Sequence, residues 1–389
     1  MAAGARFAGG VFLREEKMRK LTALFALAAL IGAGAGCAAP EGEPPLGLQE
    51  TRAGGPPESG AEGRGLAGTA ISVFNWGDFI DPATLRMFEE ETGIRVIYST
   101  YGSNEEMYAL LTTGGSFFDI LVPSDYMVER LISEDWLLPI DWELLPNYGY
   151  IMPAMKNLAF DPDNRFSVPY KWGTMGIMYN SAMVDLEVRS WEILWDERFR
   201  GEIFMYDIAR DTFAVAQKLL GFSLNTRDLD EIRQARDLLM LQAPLVRAFL
   251  QDEIKDMMVA GDGALSVVFS GDAIWSIEMN PDLRYVVPAE GTQLWFNSLV
   301  IPRNSRNPEG AHAFINFMNR PDIAFMNTVY TGFTTTNQGA FDLLPPELQN
   351  CEISWPSEEA LAASEVFTDI GPARAYMERY WMEVLMAGR

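Results

Sequence analysis

The sequence predicts an α/β fold built as two lobes. Strand-like and helix-like segments alternate through the folded part, 70–389. The alternation restarts after about residue 172, and a chain of 389 residues with 48% hydrophobic content can bury more than one core.

The elements follow in order. "ISVFNW" is apolar and β-branched enough for a buried strand. "DPATLRMFEEETG" is a helix: Asp81 can cap it, Pro82 suits its first turn, Leu85 and Phe88 share a face, and Gly93 stops it. "IRVIYST" reads as a strand, "NEEMYALLTTG" as a helix, "FDILVPS" as a strand and "DYMVERLISED" as a helix. Such β-α-β units imply a mostly parallel sheet with helices on both faces. In the second half "SWEILWDE" is helical, "GEIFMYD" a strand and "DTFAVAQKLLG" a helix. "LDEIRQARDLLMLQ", "EIKDMMVAG", "ALSVVFSG", "DAIWSIEMN" and "RYVVP" continue the alternation. "QLWFNSLVIP" is a strong strand, and "EGAHAFINFMNRPDIAFMN" is one helix entered through "NPEG".

Charge and rare residues exclude several functions. Lys+Arg total 30 against 54 Asp+Glu, a formal net charge of −24. Nucleic acid requires a basic face and is excluded as a partner. A cationic ligand fits this balance. The single histidine, His312, rules out multi-histidine metal sites and argues against a Ser-His-Asp triad; it is read as a helix residue. The two cysteines are Cys37 and Cys351. Cys37 falls in the leader, which leaves Cys351 a lone thiol and no structural disulfide.

Ligands of open α/β sheets sit at the carboxyl ends of strands, and two lobes can turn those ends towards one cleft. Four such ends share a chemistry. They are Trp76 in "NWGD"; Ser124, Asp125 and Tyr126 in "VPSDY"; Phe269 and Asp272 in "VFSGD"; and Trp295 and Asn297 in "LWFNS". Aromatic faces attract ammonium groups by roughly 0.5–2 kcal/mol each. A carboxylate adds a charge-assisted hydrogen bond of about 1.5–3 kcal/mol, and each buried methylene about 0.8 kcal/mol. A micromolar site needs about 8 kcal/mol net, so a few such contacts suffice for a cation with a hydrocarbon body. Each residue also has a plainer reading: the tryptophans as core, Asp125 and Asp272 as helix caps, and Asp78 as support for the turn after Trp76.

The N-terminus reads as an address. From Met18, the expected start, a basic stretch (Arg19, Lys20) precedes an apolar run, Leu21–Ile31, of signal-peptide length and short for a membrane span. Gly34, Ala35 and Gly36 then lead to Cys37, and the pattern resembles a bacterial lipobox with Cys37 as the lipidated residue. Gly34 stands where that pattern more often has leucine, which keeps ordinary signal cleavage open. Residues 38–69 are rich in Gly, Pro and Glu and are expected to form a disordered tether.

"IRVIYSTYGSNEEMYALL", "FDILVPSDYMVERL", "FSVPYKWGTMGIMYN", "INFMNRPDIA" and the closing "GPARAYMERYWMEVLMAGR" resemble one family. Over about 71–389 the chain is similar to the spermidine/putrescine-binding proteins of bacterial ABC importers. The resemblance implies the type II periplasmic-binding-protein fold, two α/β lobes that close on a ligand. The expected lobes are 71–172 with 299–331, and 173–298 with 332–389. It implies ligand-binding roles for Trp76, Phe79, Ser124, Tyr126, Asp211, Phe269, Asp272, Trp295, Asn297 and Phe333. Departures accompany it: Ile208 stands where spermidine binders often carry a second acid, Asn297 where Asp is usual, and Phe79 and Phe333 lack hydroxyls. Asp211 and Asp272 remain as anchors for two separated ammonium groups, which fits a short diamine such as putrescine better than a triamine.

The implied function is non-catalytic capture of a polyamine and delivery to membrane permease subunits. The protein is expected to be a monomer without cofactor or metal, lipid-anchored in the periplasm or at the cell surface. Three alternatives stay open. A ferric-ion receptor would use the tyrosines of "YSTY" and "NYGY"; a secreted enzyme would need a nucleophile-base pair or a metal cluster, and none is convincing; a lipid-anchored protein would either bind a different small cationic or neutral solute or sense the same ligand and signal to a membrane partner.

Overall fold

The computed structural model describes residues 65–388 except 115 and 116. The leader, Cys37 and the tether up to residue 64 lie outside the described residues. The last residues expected in the tether are instead tied to the fold: the Gly68 N–H donates to the Gly93 carbonyl (2.8 Å), and Leu66 packs on a core.

The first lobe begins with β1 (Ala70–Trp76), α1 (Pro82–Thr92), β2 (Arg95–Tyr101), α2 (Asn104–Thr112), β3 (Ile120–Leu121) and α3 (Asp125–Ser133). Asp81 caps α1 by accepting from the Ala83 N–H (2.8 Å), and Gly93 ends it at φ 69°. Both agree with the sequence reading. β1 pairs in parallel with β2 and β3. Successive residues of β1 serve opposite faces: Ile71 and Val73 enter one core, Phe74 another.

The long strand β4 (Ser167–Asn180) pairs with strands of both halves of the sheet. Ser167–Thr174 ladders antiparallel on β9, and Met175–Tyr179 antiparallel on β7. The second lobe continues with β5 (Ile203–Tyr206), α4 (Ala209–Leu219), α5 (Leu229–Gln242), β6 (Val246–Leu250), α6 (Glu253–Ala260), β7 (Leu265–Phe269), α7 (Ser270–Met279) and β8 (Leu283–Val286). Strand β9 (Gln293–Val300) follows, then α8 (Pro308–Met318), α9 (Pro321–Thr331) and β10 (Thr334–Thr335). Towards the C-terminus lie β11 (Glu365–Val366) and α10 (Ala373–Ala387). The main strand order is β2-β1-β3-β9-β4-β7-β5-β6. Each lobe thus contributes a parallel set, β2-β1-β3 or β7-β5-β6, and the antiparallel strands β9 and β4 lie between them.

Other details differ from the sequence reading. "EGAHAFINFMNRPDIAFMN" forms two helices, because Pro321 cannot donate to a preceding turn and Arg320 before it turns extended (φ −64°, ψ 138°). "SWEILWDE" forms only short 3-10 turns at Trp191–Trp195 and Glu197–Phe199. Trp295 and Asn297 lie inside β9 rather than at its end. They still reach the strand-end layer because β9 runs antiparallel to β3, which sets Asn297 opposite Ser124. His312 is a helix residue of α8: its Nε2 accepts from the Asp141 N–H (2.9 Å) and its Nδ1 faces the Pro308 carbonyl (2.7 Å).

Candidate functional site

The carboxyl ends of six parallel strands, three from each lobe, converge on a cavity of about 120 Å³. Trp76 ends β1, Tyr101 ends β2, Ser124 follows β3, Tyr206 ends β5, Gln251 follows β6 and Phe269 ends β7; all of them line the cavity. This is where backbone geometry leaves room for a ligand in an open α/β sheet.

Aromatic rings form a continuous wall. Phe79 lies 4.9 Å from Phe333 and 6.3 Å from Trp295, centroid to centroid. Trp295 stands edge-on to Phe333 (5.5 Å) and to Phe269 (5.9 Å), and Phe269 stacks on Tyr206 at 4.9 Å. Two glycines make the wall possible. A Cβ on Gly173 would lie 2.6 Å from the Trp295 ring, and one on Gly271 would lie 2.1 Å from the Phe333 ring. Trp76 packs against Tyr101 at 4.7 Å. Its Nε1–H donates to the Val122 carbonyl (2.8 Å) and to Asn297 Oδ1 (3.1 Å). The Ser124 hydroxyl donates to the same Asn297 oxygen (3.1 Å).

Acids stand in two separate groups. Asp211, in the first turn of α4, lines the cavity with Glu105 and Arg210. Burial first, and then the charge of Glu105, push the Asp211 carboxyl up to about 7 against the pull of Arg210. Tyr126 joins this group; its hydroxyl donates to Glu105 (3.1 Å) and accepts from Asn104 Nδ2 (3.0 Å). Asp272, in the first turn of α7, lines the cavity with Asp78, Asp252 and Lys255. Burial lifts its carboxyl to about 6, although Lys255 works the other way.

A family model for bacterial extracellular solute-binding proteins matches residues 83–354. The chain belongs to that family. The solute-binding protein is 39% identical to the spermidine/putrescine-binding periplasmic protein of Salmonella typhimurium over 321 residues, 82% of this chain and 92% of the relative. Among solved structures it is similar to a putative spermidine/putrescine ABC transporter protein from Listeria monocytogenes. That match has 41% identity and a TM-score of 0.79, covering 82% of this chain and 99% of the other. It is also similar to a lipoprotein of Treponema pallidum at 27% identity, with a TM-score of 0.74 and coverage of 82% and 99%.

Of the residues singled out from the sequence, Trp76, Phe79, Ser124, Tyr126, Asp211, Phe269, Asp272, Trp295, Asn297 and Phe333 all line the cavity of this solute-binding protein. Asp125 does not, which corrects its reading as a ligand contact. Its side chain is fully buried, and its carboxylate accepts from the Tyr126 N–H (2.7 Å) and the Phe296 N–H (3.1 Å), pinning α3 to β9. The Ser124 side chain makes no cap for α3, and no side chain caps α7, so Asp272 is not its cap.

The solute-binding protein also lines the cavity with Glu105, Tyr206, Arg210, Asp252 and Lys255, which sequence reading missed. A usable signal existed for Tyr206: "FMYD" ends a strand with an aromatic beside an acid, as the chosen segments do. Glu105 opens the helix after β2 and obeys the same rule. Asp252 and Lys255 follow β6, a strand the sequence reading did not recognise.

Proposed function

We propose that the protein captures a short polyamine, a diamine ahead of a triamine, between its lobes and presents it to the permease subunits of an ABC importer. One observation carries this reading: one aromatic-walled cavity holds two carboxylates, the buried Asp211 and the half-buried Asp272, in separate acidic groups. The rings cover methylenes and attract ammonium charge, and each carboxylate receives one terminal ammonium. Asn297 cannot add a third anchor of that kind. Its amide oxygen has two lone pairs, and the Trp76 and Ser124 hydrogens already occupy them.

The lobes are assigned as 71–172 with 299–331, and 173–298 with 332–389, so that β4 and β9 are two of the crossings. Closure is driven by the extra contacts a ligand makes when both lobes touch it. The role is binding without catalysis by a monomer, held at a membrane surface by lipid on Cys37.

Titration calorimetry with putrescine, spermidine, an amino-acid panel and thiamine tests the ligand class. Micromolar or tighter binding of putrescine, with the other classes silent, is the expected result. Binding of none of the polyamines would overturn the ligand assignment and leave the fold untouched.

A further inference from the structure

Asp272 already has a cation of the chain as a neighbour. The Lys255 ammonium lies 4.0 Å from one of its carboxylate oxygens, and the Tyr206 hydroxyl lies 3.5 Å from the other. The same ammonium lies 3.2 Å from Asp78 Oδ2. Asp78 follows β1, in one lobe, while Lys255 sits on α6 and Asp272 on α7, in the other. The lysine side chain is only 15% exposed. Burial works against its charge, but Asp272, Asp78 and Asp252 outweigh burial and hold its pKa above the ordinary lysine value. Beside this contact the lobes approach closely: a Cβ on Gly77 would lie 3.6 Å from Asp252 Oδ2, and one on Gly102 would lie 3.3 Å from Gln251 Oε1.

We propose that Lys255 is a specificity-determining residue that acts as a built-in ammonium: it takes one amine position beside Asp272 and Asp78 and holds the two lobes together there. The inference rests on the polyamine reading for its ligand and on geometry alone for its closure. A fixed cation between three carboxylates leaves that group short of one negative charge and short of the space for one more ammonium. A diamine loses little, because its two charges need one anchor in each acidic group. A triamine meets like charge where its extra ammonium would settle. The lysine also bonds to the opposite lobe, so it supplies between the lobes a contact that a ligand ammonium would otherwise make.

The experiment uses the full protein and Lys255→Gln, Lys255→Arg and Asp78→Asn variants, each checked by thermal unfolding. Calorimetry with putrescine and spermidine gives the affinity ratio. Small-angle scattering without ligand gives the radius of gyration. Lys255→Gln should raise the spermidine-to-putrescine affinity ratio at least tenfold, while Lys255→Arg keeps the wild-type ratio. Lys255→Gln and Asp78→Asn should both enlarge the ligand-free radius. A ratio unchanged within twofold in Lys255→Gln overturns the proposal and leaves the polyamine reading standing. If neither polyamine binds any of the proteins, the polyamine reading falls and scattering decides: an enlarged radius in both variants upholds the lysine contact, and an unchanged one rejects it.

Discussion

Acidification from pH 8 to pH 5 should weaken polyamine binding by roughly a thousandfold. The free protein carries Asp211 near 7 and Asp272 near 6, both raised mainly by burial. A bound ammonium requires both as carboxylates and draws each back towards the ordinary value of 3.8. At pH 8 both are largely ionised in the empty cleft. At pH 5 about one in a hundred Asp211 side chains and about one in ten Asp272 side chains are ionised, and the product sets the loss. At pH 7 about half a proton leaves Asp211 for each ligand bound. Calorimetry at constant ionic strength measures the affinity, and buffers of differing ionisation enthalpy measure the proton release. Asp211→Asn should lower affinity at pH 8 and remove the step near pH 7 while leaving the step near pH 6. A dissociation constant that changes less than about threefold across this range, or binding at pH 7 without proton release, would refute the anchoring role of these two acids.

Asp272→Asn should weaken diamine binding at pH 8 by about 1–3 kcal/mol through loss of a charged hydrogen bond, and calorimetry showing unchanged affinity rejects the anchor. Gly271→Ala should cost about 1–3 kcal/mol of stability, because its methyl group would meet the Phe333 ring at 2.1 Å; an unchanged melting temperature would contradict that packing. Ligand-free stability should fall as pH rises from about 4 to about 7. In that window the folded protein, with Asp125 and Asp211 near 7 and Asp272 near 6, binds more protons than the unfolded chain, and urea unfolding at several pH values reads the slope. Radiolabelled fatty acid should enter the wild-type protein and not Cys37→Ala; labelling of the variant would place any lipid elsewhere.

How much was legible follows from where the information lies along the chain. Caps, proline and glycine act within a few residues, so Asp81, Pro82 and Gly93 announced α1 correctly. The strand-end rule then found most of the cavity wall, because parallel strands all point their ends the same way. What escaped depends on contacts across long sequence separations. β4 carries Pro169 and three short-range turn signals' worth of Gly and Asn, yet it is a strand because β9, β7 and β8 pair with it. Asp125 has the sequence context of Ser124 and Tyr126, and only the β9 backbone opposite reveals that its carboxylate is already used. Nothing in the sequence around Lys255 sets it apart until the fold places it between Asp78 and Asp272.

The two departures at Ile208 and Asn297 acquire a common meaning in the cavity. Ile208 lines it at the start of α4 and offers hydrocarbon one turn before Asp211. Asn297 offers an oxygen saturated by Trp76 and Ser124. Both changes remove negative charge without removing wall, and Lys255 offsets charge again beside Asp272. An ammonium placed away from both acidic groups therefore gives up its water shell for aromatic faces alone, at roughly 0.5–2 kcal/mol each. Burying an unpaired charge costs far more than that. Each added ammonium on a ligand consequently lowers its fit unless it reaches one of the two acidic groups.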